Sequence, residues 1–192
     1  WELEAFQGSI HYTALLDDNT AHWAPDCTTC HGTHRVYAAV APASPSSPTH
    51  LPGTCGGCHD DPEFAESVGV SEDRLASYKD SIHGLRNRFG QGNVATCKDC
   101  HGAHSVLPPN NPASMVSRQN IVATCGKCHE GANENFASAT VHVRATPDSS
   151  IGVFIARWFY IIFIGVLMLG FILHVAFDLA THKGRKKERA NE

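Results

Sequence analysis

Methionine is nearly absent, with two residues in 192. Large apolar residues are also scarce over most of the chain. Residues 1–150 hold 24 Val, Ile, Leu and Phe, or 16%. Below roughly 20% a chain lacks the apolar surface to fold by side-chain burial alone. An ordinary enzyme domain with a protein-only core is therefore excluded, and something else must fill the interior. Positive charge is not in excess either: the formal net charge is -4 with neutral histidines. No broad basic surface argues for a nucleic-acid partner. Residues 1–150 lean acidic, with 16 Asp and Glu against 9 Lys and Arg. With bound anionic groups, that excess offers a weak electrostatic dock for a basic partner. A fully soluble chain is excluded by the one long apolar run, which lies in the last 42 residues.

Cysteine and histidine are abundant instead, with eight and thirteen residues. All eight cysteines fall in one repeated pattern: Cys27-Thr-Thr-Cys30-His31, Cys55-Gly-Gly-Cys58-His59, Cys97-Lys-Asp-Cys100-His101 and Cys125-Gly-Lys-Cys128-His129. This is the attachment signature of c-type haem. Two thiols add across the two porphyrin vinyl groups, and the adjacent histidine faces the iron as proximal ligand. Four-cysteine zinc sites and disulfides are the alternatives. Neither gives a reason for a histidine directly after every second cysteine. Four covalent haems would also supply the missing apolar interior. The expected fold class is a mostly irregular/α multihaem cytochrome c domain, with short helices packed on four haems and little sheet, plus one C-terminal transmembrane helix.

The motifs are duplicated. Cys27 to Cys55 and Cys97 to Cys125 are the same distance along the chain. A shift of 70 aligns His34 with His104, Pro42-Ala43-Ser44 with Pro112-Ala113-Ser114, and Thr54-Cys55-Gly56 with Thr124-Cys125-Gly126. Ser9-Ile10-His11 matches Ser81-Ile82-His83 with a slip of two, and Thr140-Val141-His142 is a third, partial copy. The expected organisation is a tetrahaem domain over 1–149, built from two di-haem modules at about 9–80 and 81–142. A transmembrane helix over 150–181 and a basic tail over 182–192 follow.

Each iron needs a second axial ligand or keeps an open site. Met115 is the only methionine before the apolar run, which leaves histidine. The repeated contexts point to His11 and His34 for the two haems of module one. They point to His83 and His104 for those of module two. His142 is then spare, replaces one of these four, or acts at the membrane side. His22 aligns with Gly92 and His50 with Asn120, so both read as solvated loop histidines. Haems closed by histidine on both faces transfer electrons and do not bind substrate, and strong histidine donors favour the ferric state. The multihaem catalytic pattern with lysine as proximal ligand is absent, so no catalytic site is expected.

Trp158 to Phe177 contains no Asp, Glu, Lys, Arg, Asn or Gln. Twenty helical residues rise about 30 Å, the hydrocarbon thickness of a bilayer. Trp158 and Tyr160 suit an interfacial aromatic belt, and Arg157 suits snorkelling to headgroups or haem propionates. Lys183, Arg185, Lys186, Lys187 and Arg189 follow, and the positive-inside rule puts that end in the cytoplasm. Covalent haem attachment follows export, so the motifs belong on the periplasmic side of the inner membrane, in a single-pass topology. No export signal stands at Trp1, which reads as a cleaved segment outside this numbering. His174 is the one strongly polar residue inside the run, with Gly170 one turn before it. Three readings compete for it: a hydrogen bond to a neighbouring helix, ligation of a b-type haem shared with a partner, or a quinone pocket or proton path.

The four motifs, the Cys-His-Gly-x-His pair at His34 and His104, and the Ser-Ile-His elements resemble the class III-like multihaem cytochromes c. Membrane-anchored tetrahaem cytochromes are the nearest in pattern. The resemblance spans roughly residues 9–142. It implies closely spaced haems acting as an electron wire between the quinone pool and periplasmic partners. The familiar quinol-oxidising tetrahaem family carries an amino-terminal anchor, whereas the anchor here is carboxy-terminal. The layout therefore looks more like a tetrahaem subunit docked on an integral membrane cytochrome b or another quinone-reactive protein. The expected function is electron transfer. The expected partners are that integral membrane subunit, a periplasmic redox protein and membrane lipid. Two alternatives are carried: a small multihaem reductase with an open haem, and an assembly subunit of a larger respiratory or photosynthetic complex.

Overall fold

The computed structural model describes residues 1–70 and 73–189, with side chains described as far as Thr181. Among the described residues there are helices and no strands. The chain divides into two units, Trp1–Val143 and Arg144–Glu192.

The first unit carries ten short helices. They are α1 (Glu2–Gln7), α2 (Ile10–Leu15), α3 (Cys27–His31), α4 (Leu51–His59), α5 (Pro62–Val68), α6 (Arg74–Asp80), α7 (Ile82–Arg88), α8 (Cys97–His101), α9 (Ile121–Gly126) and α10 (Glu134–Ala137). None exceeds nine residues, and isolated helices of that length are unstable in water. Local signals start them. Asp61 and Pro62 open α5, with the Asp61 carboxylate accepting from the Glu63 and Phe64 amides at 2.9 and 3.0 Å. Ser9 and Ser81 cap α2 and α7 by accepting from the Tyr12 and Gly84 amides.

Side-chain burial does not account for this unit. Its buried hydrophobic residues are Leu51, Ala65 and Tyr78, whereas ten Ser, Thr and Asn residues are buried. Those polar groups are satisfied: no buried side-chain nitrogen or oxygen among the described residues lacks a partner. The interior is thus held by polar loops rather than by an apolar core.

The duplication in sequence is a duplication of hydrogen bonds. Ser44 and Ser114 are buried at 0% and 1% exposure. Each sits in a serial turn in which Ser47 or Ser117 donates its amide to the Ser44 or Ser114 carbonyl, at 3.0 and 3.1 Å. The Thr54 and Thr124 hydroxyls reach back nine residues to the Pro45 and Met115 carbonyls, both at 2.7 Å. His50 and Asn120 occupy one role: each meets the carbonyl of the equivalent serine, at 3.2 and 2.9 Å. That is why His50 is a loop histidine.

Motif placement repeats as well. The first motif of each module opens a helix, and the second closes one. The opening helices share a carboxylate–threonine cap with its members exchanged. The Asp26 carboxylate accepts from the Thr29 amide at 2.9 Å, while the Asp99 carboxylate accepts from the Thr96 amide at 2.7 Å. Gly32 and Gly102 then turn the chain at φ +82° and +84°, a region that side-chain-bearing residues avoid. The fourth motif continues beyond α9, with the His129 amide on the Cys125 carbonyl at 2.9 Å.

The two modules interlock. The Ile10 amide donates to the Val106 carbonyl at 2.9 Å, and the buried Asn87 amide group donates to the Pro48 carbonyl at 2.8 Å. Helices α6 and α7 meet at Gly84, where an added Cβ would strike the Tyr78 carbonyl and come within 2.8 Å of the Lys79 Cα. Both obstacles are backbone, so they cannot rotate away. Gly84→Ala is expected to cost about 1–3 kcal/mol, read as a lower guanidinium midpoint.

The second unit is dominated by α11 (Ile151–Arg189). Its segment Ile151–Thr181 is long and apolar enough to cross a membrane. The helix starts one residue after the expected boundary at 150. It runs past the expected end at 181 to Arg189, a stretch that holds no proline. The side chains of Lys183, Arg185, Lys186, Lys187 and Arg189, on which the orientation expectation rests, lie outside the described residues.

Candidate functional site

The motif histidines do not stand alone. Each faces one other imidazole: His31 faces His104 with ring centroids 6.0 Å apart, His59 faces His11 at 6.3 Å, His101 faces His142 at 6.3 Å, and His129 faces His83 at 6.0 Å. The separation is chemically specific. It is too wide for a direct hydrogen bond between the rings. Two imidazole nitrogens, each about 2.0 Å from one shared metal atom, place their ring centroids about 6 Å apart. Among the described residues, no three His, Cys, Asp or Glu side chains gather as a bare metal ion would need. A haem held by a Cys-x-x-Cys-His motif needs only one further imidazole, on the opposite side of its iron. The four pairs fit that requirement.

Two of the facing histidines come from helix starts. His11 and His83 are the second residues of α2 and α7, each directly behind its serine cap. His104 lies two residues beyond Gly102, and His142 lies in an irregular segment after α10. Burial pushes the titration of His11, His59, His83, His101 and His142 below the ordinary histidine value. A neutral imidazole keeps the lone pair a metal requires. A phenylalanine flanks each of two motif rings, edge-on at His59 and tilted at His129. Phe64 stands 5.2 Å from His59 and Phe136 stands 4.9 Å from His129. Each phenylalanine is the third residue after a capping Asp61 or Asn133. That cap-plus-aromatic signal was readable in the sequence and belongs with the motifs.

The pairing differs from the first assignment of four facing histidines. His34 is exposed, its Nδ1 lies 3.0 Å from the Thr33 hydroxyl, and among the described residues it faces no motif histidine. His142, expected to be spare, to replace one of the four or to act at the membrane side, faces His101. The modules are not self-contained, because His104 of module two faces His31 of module one. Both motif histidines of module one, to which His34 was assigned, face other rings: His59 faces His11 and His31 faces His104. His22 packs beside Trp23 at 5.4 Å and also stands outside the pairs.

The motif cysteines follow one another in space. Cys30 lies in the electrostatic surroundings of Cys55 and Cys58, Cys55 lies beside Cys97 where α4 meets α8, and Cys100 feels Cys125 and Cys128. Burial pushes the Cys30 and Cys100 thiols above their ordinary value. That is the opposite of a cysteine tuned as a thiolate nucleophile. Cys27 and Cys128 are exposed, at the two ends of this series.

In the second unit, His174 is exposed on α11. Gly170 lies one turn before it and Asp178 one turn after it, so the three share a helix face. The Thr181 hydroxyl donates to the Asp178 carbonyl at 2.9 Å. Compared with known protein families, curated proteins and solved structures, the chain matches none of them.

Proposed function

We propose that this chain is a membrane-anchored tetrahaem electron-transfer subunit. The observation that carries the reading is the set of four histidine pairs at 6.0–6.3 Å, each containing the histidine of one Cys-x-x-Cys-His motif. The residues that would hold the four c-type haems are Cys27 and Cys30 with His31 and His104; Cys55 and Cys58 with His59 and His11; Cys97 and Cys100 with His101 and His142; and Cys125 and Cys128 with His129 and His83. Haem so ligated supplies one-electron transfer without an open coordination position.

The chain's own residues do the rest. Capped helices carry His11, His31, His83 and His101, and burial lowers the titration of His11, His59, His83, His101 and His142. The serial arrangement of the motif cysteines supports a continuous path with the second and third sites adjoining at Cys55 and Cys97. The exchange of His104 into module one ties the two halves of that path together. The α11 span would anchor the domain on the periplasmic side of the inner membrane, with the basic tail in the cytoplasm. An integral membrane quinone-reactive or cytochrome b-type subunit would be one electron partner and a periplasmic redox protein the other. His174 would face the membrane partner, as a helix contact, a b-type haem ligand or part of a quinone site.

A reductase needs an open haem, and every motif histidine here has a facing imidazole. Carbon monoxide tests the point, because it binds reduced haem only where a ligand position is free. The reduced protein, purified with its partners in mild detergent, is expected to show an unchanged spectrum under carbon monoxide. A carbon monoxide complex on about one haem in four would transfer the reading to a reductase.

A further inference from the structure

His142 differs from the other three facing histidines in its support. Like His104, it stands on no helix, in a bend that follows α10. Its ring is held from another element: the His142 Nδ1 lies 2.9 Å from the Ser77 hydroxyl in α6, 65 residues earlier in the chain. Ser77 is 2% exposed, so water does not compete for that bond. The direction of the bond follows from its other partners. The Ser77 hydroxyl lies 2.6 Å from the Asp73 carbonyl and 3.0 Å from the Arg74 carbonyl, and a carbonyl oxygen only accepts. The hydroxyl proton is therefore committed to the carbonyls, and the Ser77 oxygen meets His142 as an acceptor. Nδ1 then carries the ring proton, and the lone pair is on Nε2.

We propose that Ser77 is a positioning residue for His142: it fixes the tautomer that presents Nε2 toward His101 and raises the donor strength of the imidazole. This inference rests on the haem reading of the His101–His142 pair. A ligating imidazole whose other nitrogen donates a hydrogen bond is more basic, which stabilises the oxidised metal. Among the described residues, none of the other three facing histidines has a bond of this kind. Among the motif histidines, His31 comes nearest, with its Nδ1 3.5 Å from the Ser46 hydroxyl.

The test uses the full chain in detergent, with Ser77→Ala and Ser77→Thr compared by haem count, electron paramagnetic resonance and potentiometric titration. Ser77→Ala is expected to keep four c-type haems, to move one of the four low-spin signals, and to raise the potential of one haem while the other three stay. Ser77→Thr restores the acceptor oxygen and is expected to return both readouts to their original values. Where Ser77→Ala yields no assembled protein, Ser77→Thr is compared with Ser77→Val, which has the same shape without the hydroxyl. Identical signals and potentials in the hydroxyl-bearing and hydroxyl-lacking variants overturn the role of Ser77. Fewer than four c-type haems in the unmodified chain would instead overturn the reading on which the role rests, so the two failures are separable.

Discussion

Replacing His142 with alanine is expected to convert one of four low-spin haems to a high-spin, five-coordinate form that binds carbon monoxide. Replacing His34 with alanine is expected to leave all four low-spin. The contrast is large because losing an axial ligand changes the spin state of a whole centre. It also separates two accounts of the same histidines. The repeated Cys-His-Gly-x-His context favours His34, whereas the geometry pairs His142 with His101 at 6.3 Å and leaves His34 exposed beside Thr33. His142→Met sharpens the test, since a thioether donor stabilises ferrous iron. One potential should rise by on the order of 100 mV or more. Electron paramagnetic resonance and a potentiometric titration read both effects. Loss of a low-spin signal in His34→Ala, with none in His142→Ala, would return the ligand to His34.

The second large effect concerns folding. Production of the chain without haem attachment is expected to give an unfolded, protease-sensitive Trp1–Val143 unit. Three buried hydrophobic side chains, Leu51, Ala65 and Tyr78, cannot hold it. Burying such a side chain contributes about 1.5–3 kcal/mol, while ordering the backbone costs about 1–2 kcal/mol for every residue. Its short helices have no independent stability. The double variant Cys97→Ser with Cys100→Ser should show the same weakness locally, because the Cys55–Cys97 contact lies between the second and third motifs. Circular dichroism and limited proteolysis distinguish the outcomes. A haem-free unit with full helix content and a cooperative thermal transition would mean that the polypeptide alone supplies the core.

The parts legible in the sequence were those with short-range signatures. The four motifs announce themselves. Ser-Ile-His is a capped helix start that carries a histidine at its second position, and both full copies adopt that form. The apolar run from Trp158 reads directly as a membrane-length helix, and α11 contains it. What was not legible depends on distance along the chain. Repetition suggests that equivalent residues do equivalent work inside their own module. His104 instead faces His31 in the other module, and His101 is faced by His142 from the far end of module two. The local context of His142 marks it only as a partial copy of Ser-Ile-His, since its support comes from Ser77 in α6. The buried serine turns were hidden for a related reason. The proline- and serine-rich stretch from Ala41 to Pro52 reads as a loop by composition, yet Ser44 and Ser47 are among the least exposed of the described residues.

The central claim is that the four Cys-x-x-Cys-His motifs each carry a covalent haem. A pyridine haemochrome spectrum, with protein determined by amino-acid analysis, tests it most directly on the chain purified with its partners in mild detergent. The account predicts four c-type haems per chain, with any b-type haem contributed through a membrane partner at His174. Fewer than four c-type haems per chain, or zinc in their place, would contradict it.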